Sequence, residues 1–373
     1  EIALGKLLFG VNTPLNGTGN TNDFNPMKGP MTTQTLRGLK NSGAMHWRGD
    51  RSNGFFGVDP VDSNLSFNNF IIAFPGLVGS PTQPSTAQMQ AFTNFQLSVV
   101  PPPNPVRNLD SSLTASQKRG HDFYFGSRPS DGINVPILGL KSFSCNGCHE
   151  VDGSQGFFGT SRNASFEGID QIFKIPHLRN LYAKVGMFGV PKVNFFTDPN
   201  TGFTGNQIRG FGFTNDGSID TVFRFLTAKV FAPQLNAGFP LINPDATRRD
   251  VEQFVLAFDS DLAPIVGQQA TLTSNNAAGV GPRIDLMIQR AGTSFTSKAL
   301  GGNVTECDLV VNVVQGGRVK GFLYDPNAKN FIPDDGSPRV TDSALRALAS
   351  IPGQEVTYTC TPPGSGQRVA FNR

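Results

Sequence analysis

Residues 145–149 read Cys-Asn-Gly-Cys-His, and this pentapeptide restricts the structure of the chain more than any other feature. The C-x-x-C-H spacing is typical of covalent attachment of a c-type haem. Two thiols three positions apart can bond the two vinyl groups of one porphyrin, and the adjacent His then lies beneath the iron as proximal ligand. We therefore predict that Cys145 and Cys148 hold a haem and that His149 binds its iron.

Two other kinds of site use a similar spacing. A zinc site would need two more Cys or His side chains nearby, and the next histidine, His177, has no partner at ligand spacing. A thioredoxin-like redox pair would lie at a strand-to-helix junction of a βαβ pattern, which this sequence lacks. Both alternatives lack their other parts, which favours haem.

Composition excludes several classes of protein. The chain has 373 residues, a formal net charge of +3 and only 16% charged residues. This charge balance offers no basic patch for nucleic acid, and no run approaches the roughly 18 apolar residues that a transmembrane helix needs. Apolar residues are too plentiful for a disordered chain. With 42 Gly and 27 Pro, the chain is expected to be globular and rich in loops.

The two remaining cysteines, Cys307 and Cys360, flank short β-like runs far from the C-x-x-C-H motif. In an exported protein such a pair most often forms one structural disulfide. Closing a loop of about fifty residues would contribute on the order of 4 kcal/mol by the chain-entropy model. Haem attachment and a disulfide both indicate the periplasm, the cell surface or the extracellular space.

The pattern L-R-x-L-x5-M occurs at residues 36–45 and again at 178–187, and each copy follows a Gly-flanked aromatic run. Such an internal repeat predicts two related halves. The expected domains are residues 1–105, a first half without a haem motif of its own, and residues 106–268, the haem-bearing half. After a linker at 269–281, residues 282–373 are predicted to form a small α+β module closed by the disulfide.

The second axial ligand of the iron decides between electron transfer, which a strong ligand favours, and peroxide or oxygen chemistry, which an open position favours. Met187, in a Gly-flanked segment at the repeat position, is the candidate for a thioether ligand, although most methionines simply fill core gaps. His177 is the second candidate, with a buried structural role as its alternative.

Further residues near the motif are expected to contact the haem. Arg179 could pair with a propionate through its planar fork, or it could brace a loop carbonyl. Apolar rings are expected to line the haem and to lower the dielectric around the iron. These rings are Phe143, Phe157, Phe158, Phe173 and Phe188.

Three segments resemble the bacterial di-haem cytochrome c peroxidase and MauG superfamily. Residues 173–181 are similar to its F-K-x-P-x-L-R-N signature, residues 210–223 resemble its F-H-D-G-S segment, and residues 46–51 resemble its F-W-D-G-R element. The resemblance covers about residues 1–265. It implies a mainly α fold of two cytochrome c-like, loop-rich helical halves, followed here by the small C-terminal α+β module.

The resemblance also implies roles for two residues of the first half. Members of the superfamily carry two haems with an electron-relay tryptophan between them, and Trp47 matches that residue by position. Met45 would approach the second haem. This chain has one haem motif, so the second haem is either absent or attached upstream of Glu1. A calcium ion is a further candidate cofactor.

Departures from the family pattern bear on activity. Asn215 stands where the second F-H-D-G pattern has His, and about twenty residues are inserted between Met187 and Gly210. Members of the family often carry the sixth ligand in the stretch that corresponds to the residues between Met187 and Met287, which contains no Met here. The resemblance therefore favours Met187 as the ligand. These departures weaken the expectation of peroxidase activity more than the expectation of the fold.

Three functions follow as hypotheses. The favoured one is an exported cytochrome that exchanges electrons with redox partner proteins. The alternative is a peroxidase or MauG-like oxidase that uses a second haem, with Glu150 or Glu167 in acid–base roles. The third is a surface assembly role, in which the C-terminal module binds other subunits.

Overall fold

The computed structural model describes residues 31–42, 45–47, 62–130, 144–149, 151–152, 157–158, 175–186, 210–215, 217, 219–297 and 302–371. These residues fall into two compact units. The loop-rich unit is drawn from Glu1–Pro101 and Leu113–Asp259, and the sheet unit from Pro102–Ser112 and Ser260–Arg373.

In the described part of the loop-rich unit the first helices are short, and the caps of two of them are polar. Helix α1 (Ser63–Asn68) leads through a 3-10 turn (Asn69–Ile72) into α2 (Ala73–Gly76), and α3 (Thr86–Ser98) follows a capping box of Ser85 and Gln88. The caps satisfy backbone N–H groups that have no partner inside the helix. A small core then forms from Leu39, Met45, Phe67 and Met89.

Two longer helices cross in the second part of this unit. Helix α4 (Ala115–Tyr124) begins with the Thr114–Gln117 capping box, and α7 spans Pro244–Leu256. A Cβ atom at Gly120 would lie only 2.0 Å from the Asp250 carbonyl oxygen, so glycine allows the two backbones to touch.

Short elements complete the loop-rich unit. They are α5 (Cys145–Cys148), the antiparallel pair β1 (Val151–Asp152) and β2 (Phe157–Phe158), a 3-10 turn (Leu181–Lys184), α6 (Val222–Phe225) and a second 3-10 turn (Lys229–Phe231). Tyr124, Leu178, Ile219, Val251 and Phe254 belong to the core between them.

The sheet unit contains a five-stranded antiparallel sheet in the order β3-β9-β6-β7-β8. Its strands are β3 (Gln269–Leu272), β6 (Asp308–Gln315), β7 (Arg318–Asp325), β8 (Asn330–Pro333) and β9 (Val356–Thr361). A separate hairpin joins β4 (Ser294–Ser297) to β5 (Gly302–Thr305).

Three helices belong to the sheet unit: α8 (Ala277–Ala291), α9 (Asp342–Leu348) and α10 (Gly366–Phe371). Ile284 and Met287 of α8 are buried in one core with Leu309 and Val311 of β6. The predicted Cys307–Cys360 disulfide forms in this unit, with Cα atoms 5.4 Å apart. It joins the start of β6 to β9, which are neighbouring strands.

The expectation of a mainly α fold is wrong. The described chain contains the five-stranded sheet and smaller ladders, and its helices in the loop-rich unit are mostly short. Frequent Gly and Pro interrupt helices there, while β-branched and aromatic residues pair into strands near the C-terminus. The linker expected at 269–281 instead contains β3 and the first turn of α8.

We searched the described helices for a membrane span. None of them is both long enough and apolar enough to cross a bilayer.

Candidate functional site

The C-x-x-C-H motif forms a single helical turn. Ser144 caps this turn by accepting a hydrogen bond from the Gly147 amide at 3.2 Å, and the His149 amide donates to the Cys145 carbonyl at 2.9 Å. Residues three apart on a helix share a face, so Cys145 and Cys148 project to the same side. Neither side chain takes part in a disulfide. This arrangement suits two bonds to one planar ligand.

The ring of His149 is oriented by a backbone group. Its Nδ1 lies 2.8 Å from the carbonyl oxygen of Pro176. A carbonyl can only accept, so Nδ1 carries the proton and Nε2 is the nitrogen with the lone pair in the neutral ring. Metal-binding histidines are commonly oriented by such a bond at the other ring nitrogen.

Tyr124 fixes the backbone at the same histidine. It is buried at the end of α4, and its hydroxyl donates to the His149 carbonyl at 2.6 Å. Burial, together with the neighbouring Cys145 and Cys148 thiols, raises the pKa of Tyr124 well above its ordinary value. The phenol therefore stays protonated and remains a hydrogen-bond donor.

These residues line one cavity of about 180 Å³ within the loop-rich unit. Most of the other lining side chains are apolar. They include Phe123, Ile175, Leu178, Leu181, Phe213, Val222, Phe225, Leu226, Val230, Phe231, Phe239, Val251 and Val255, while the polar ones are Ser130, Thr214, Asn215 and Lys184. Burial, with a smaller contribution from Cys148, raises the pKa of Cys145 to about 12. The lining suits an apolar ligand.

One wall of the cavity is held by a single arginine. Arg128 donates to five carbonyls of the loop 234–239, among them those of Gly238 at 2.7 Å and Ala237 at 2.9 Å. Phe239 of this loop stacks face to face on Phe123 with ring centres 5.2 Å apart. The Arg128 guanidinium thus provides hydrogen bonds to carbonyls of a segment that belongs to no helix or sheet.

Trp47 lies in the wall of the same cavity. It is buried, and its indole Nε1 donates to the Thr32 carbonyl at 2.9 Å. The Thr32 amide in turn donates to the Asn215 carbonyl at 2.8 Å. The structure therefore brings the predicted relay residue beside the C-x-x-C-H turn, and Asn215 helps to position it.

Met45 lies elsewhere. It packs in the small core with Leu39, Phe67 and Met89 and is not among the residues that line the cavity. Its approach to a second haem stays a prediction from the family resemblance.

Arg179 takes the second of the two roles that the sequence left open. It is buried, and its guanidinium donates to the Gly38 carbonyl at 2.8 Å. Glycine is required at that point, because a Cβ atom at Gly38 would lie 2.9 Å from the guanidinium and the residue has a φ of +69°. Arg179 thus braces the first half of the repeat against the second.

Several predicted contacts lie outside the described residues. They are Met187, Phe143, Phe173 and Phe188, together with Glu150 and Glu167 and the side chains of Phe157 and Phe158. His177 is half-buried and is not among the cavity-lining residues. The choice of sixth ligand therefore stays a prediction.

Three site residues had no assigned function in the sequence interpretation: Pro176, Tyr124 and Lys184. Pro176 lies within the F-K-x-P-x-L-R-N segment, and Lys184 within the Gly-flanked segment before Met187. Both segments were recognisable as motifs, but only the folded chain shows that these two residues reach the cavity.

The donor set fits a c-type haem. Two cysteine side chains share a face, a neighbouring imidazole is oriented through its Nδ1, and the cavity beside them is apolar. Within the described ranges, no group of three or more His, Cys, Asp or Glu side chains is arranged to hold a bare metal ion. Comparisons with family models, with curated proteins and with solved structures found no match to this chain.

Proposed function

We propose that this protein is an exported c-type cytochrome that transfers electrons through a haem attached to Cys145 and Cys148. The observation that carries the proposal is the 2.8 Å contact between His149 Nδ1 and the Pro176 carbonyl, at the edge of an apolar cavity. It gives the imidazole the tautomer and the fixed orientation that an iron ligand needs.

Each residue has a distinct task in this proposal. Cys145 and Cys148 tether the porphyrin, His149 provides the proximal nitrogen, and Tyr124 holds the backbone of that histidine. The bound haem would supply a one-electron carrier. The phenylalanine and leucine side chains of the cavity exclude water, and a low dielectric around an iron centre tunes its reduction potential.

Location and partners belong to the same proposal. The Cys307–Cys360 disulfide suits an oxidising compartment, and covalent haem attachment agrees with the periplasm or the cell surface. Redox proteins are the partners that an electron-transfer cytochrome needs. The sheet unit offers a separate body through which other subunits could bind.

A peroxidase or MauG-like oxidase is the second candidate, and the position of Trp47 favours it. The indole lies in the wall of the proposed haem cavity, where a relay residue would need to be. This function needs a second haem.

The number of haems per chain tests both candidates. The full-length gene product would be expressed in a host with c-type maturation, then measured by intact mass and by the pyridine haemochrome assay. We expect one haem, lost in the double variant Cys145→Ser/Cys148→Ser and retained in Cys307→Ser/Cys360→Ser. A colourless wild-type protein would refute the cytochrome, whereas two haems would favour the peroxidase.

A further inference from the structure

We propose that the Lys184 ammonium binds a propionate carboxylate of the haem inside the cavity. The inference rests on the proposed function and assigns a cofactor-binding residue that the sequence did not indicate. It replaces Arg179, the expected partner of a propionate.

The backbone holds Lys184 firmly at the cavity wall. Lys184 is the last residue of the 3-10 turn at Leu181–Lys184, and its carbonyl accepts from the Gly212 amide at 3.0 Å. A Cβ atom at Gly210 would lie 2.6 Å from the Lys184 Cα, so the two segments are in direct backbone contact. The direction in which the lysine side chain leaves the backbone is therefore fixed.

The ammonium group itself lies over an aromatic ring. Lys184 Nζ is 5.3 Å from the centre of the Trp47 ring, and the hydrogen bond to Thr32 holds that ring in place. The attraction of a cation to an indole face is weaker than the cost of burying a charge. The ring positions the ammonium but does not neutralise it.

No carboxylate of the described residues pairs with Lys184. Burial lowers the pKa of this lysine, and no described acidic side chain acts to raise it. Lys184 is also the single Lys or Arg among the described residues that line the cavity. An anion that enters with the ligand would satisfy this charge, and a haem brings two carboxylates.

Arg179 is poorly placed for this task. Its guanidinium is buried against the Gly38 carbonyl, and Arg179 is absent from the described lining of the cavity.

A lysine binds a carboxylate as a compact point charge, whereas an arginine binds it through a planar fork. The variant Lys184→Arg should therefore keep the pairing with the propionate in a looser form.

The test compares charge-changing variants of the mature holoprotein. Lys184→Met removes the charge and Lys184→Arg retains it. Lys118→Met is the matched control, because the Lys118 side chain is 58% exposed and pairs with Asp122 on its own helix. Haem content, reduction potential and the propionate bending band in the resonance Raman spectrum would be measured for each variant.

We expect Lys184→Met to shift the propionate band and to lower the reduction potential, because a lost positive charge favours the oxidised haem. Lys184→Arg should largely restore both, and Lys118→Met should change neither. An unchanged propionate band in haem-loaded Lys184→Met would overturn the pairing while leaving the cytochrome intact.

If the Lys184→Met variant does not acquire haem, a measurement on the wild-type protein tests the pairing instead. Transfer of the wild-type protein into D2O should shift the propionate band, since the ammonium protons exchange. A band indifferent to D2O would contradict the pairing. Absence of haem from the wild-type protein is a different result, and it would refute the proposed function itself.

Discussion

The two units of this protein are stabilised in different ways. In the loop-rich unit, three arginines donate to backbone carbonyls that no regular ladder satisfies: the half-buried Arg128 to the loop 234–239, and the buried Arg179 and Arg248 to Gly38 and Leu226. In the sheet unit, five paired strands satisfy the backbone, and a disulfide joins two of them.

This difference has a consequence for ligand dependence. The loop-rich unit surrounds a cavity of about 180 Å³, and its apolar lining gains contacts only when a ligand fills that space. The sheet unit has a closed core in which Ile284, Met287, Leu309 and Phe331 are fully buried. A bound haem should therefore stabilise one unit and leave the other unaffected.

The largest expected effect is the loss of haem. In Cys145→Ser/Cys148→Ser, the loop-rich unit should lose about 4 kcal/mol or more of unfolding free energy, the amount by which a tight ligand stabilises the state that binds it. Hydrogen exchange followed by mass spectrometry reports the two units separately. Equal loss of protection in both units would show that their stabilities are not distinct.

The reciprocal variant removes the disulfide. Cys307→Ala/Cys360→Ala should cost the sheet unit about 2–5 kcal/mol, because cross-linking constrains the unfolded chain. Chemical denaturation followed by exchange in β6 and β9 measures this loss. The haem absorption spectrum should stay as in the wild type, and a changed spectrum would contradict the independence of the units.

Two glycine variants, one in each unit, should change the free energy of unfolding by smaller amounts and in opposite directions. Gly120→Ala would place a methyl group 2.0 Å from the Asp250 carbonyl oxygen, so the helices α4 and α7 must separate at a cost of about 1–3 kcal/mol. Gly279→Ala, in helix α8 of the sheet unit, meets no atom within 4 Å and should stabilise by up to about 1 kcal/mol. Thermal unfolding of both variants provides the comparison, and equal effects would mean that the α4–α7 contact is looser than described.

The smallest expected effect depends on pH. Hydrogen bonds from Arg119 at 2.7 Å and from Ser116 hold the pKa of Asp250 below its ordinary value. A depressed carboxyl pKa stabilises the fold above the unfolded value of about 3.9, and the contribution disappears as pH falls through the lower folded value.

Asp250→Asn should therefore lower stability slightly at pH 7 and have no effect in strong acid. The effect is small because the Arg119 side chain is 63% exposed and water screens the pair. Unfolding midpoints measured between pH 2 and 7 test this, with Gly279→Ala as a control that changes no titratable group. If the difference in stability between the wild type and Asp250→Asn grew toward low pH, it would contradict a lowered pKa of Asp250 in the folded protein.

Local signals predicted the local structure well. The short β-like runs flanked by Cys307 and Cys360 are strands β6, β7 and β9 of the sheet, as expected. The disulfide followed from two cysteines left over after the haem motif. Each of these features depends on side chains close in sequence or, for the disulfide, on the pairing of the two remaining cysteines.

Features that depend on distant contacts were missed or left open. Strand β3 is short and lies beside an Asn- and Gly-rich stretch, and only its pairing with β9 makes it a strand. The His149–Pro176 contact and the approach of Lys184 to Trp47 join residues far apart in the chain. Arg179 had two equally reasonable partners, and only the position of Gly38 decides between them.

The backbone on the two sides of residues 187–209 lies together. The Gly186 amide donates to the Asp220 carbonyl at 2.8 Å, and the Gly212 amide donates to the Lys184 carbonyl at 3.0 Å. Joining two points that already meet costs only about 0.6 kcal/mol more for each doubling of the length of the connecting peptide. The two hydrogen bonds therefore keep the Lys184 side of the cavity in register with the segment that starts at Gly210, whatever the number of residues between them.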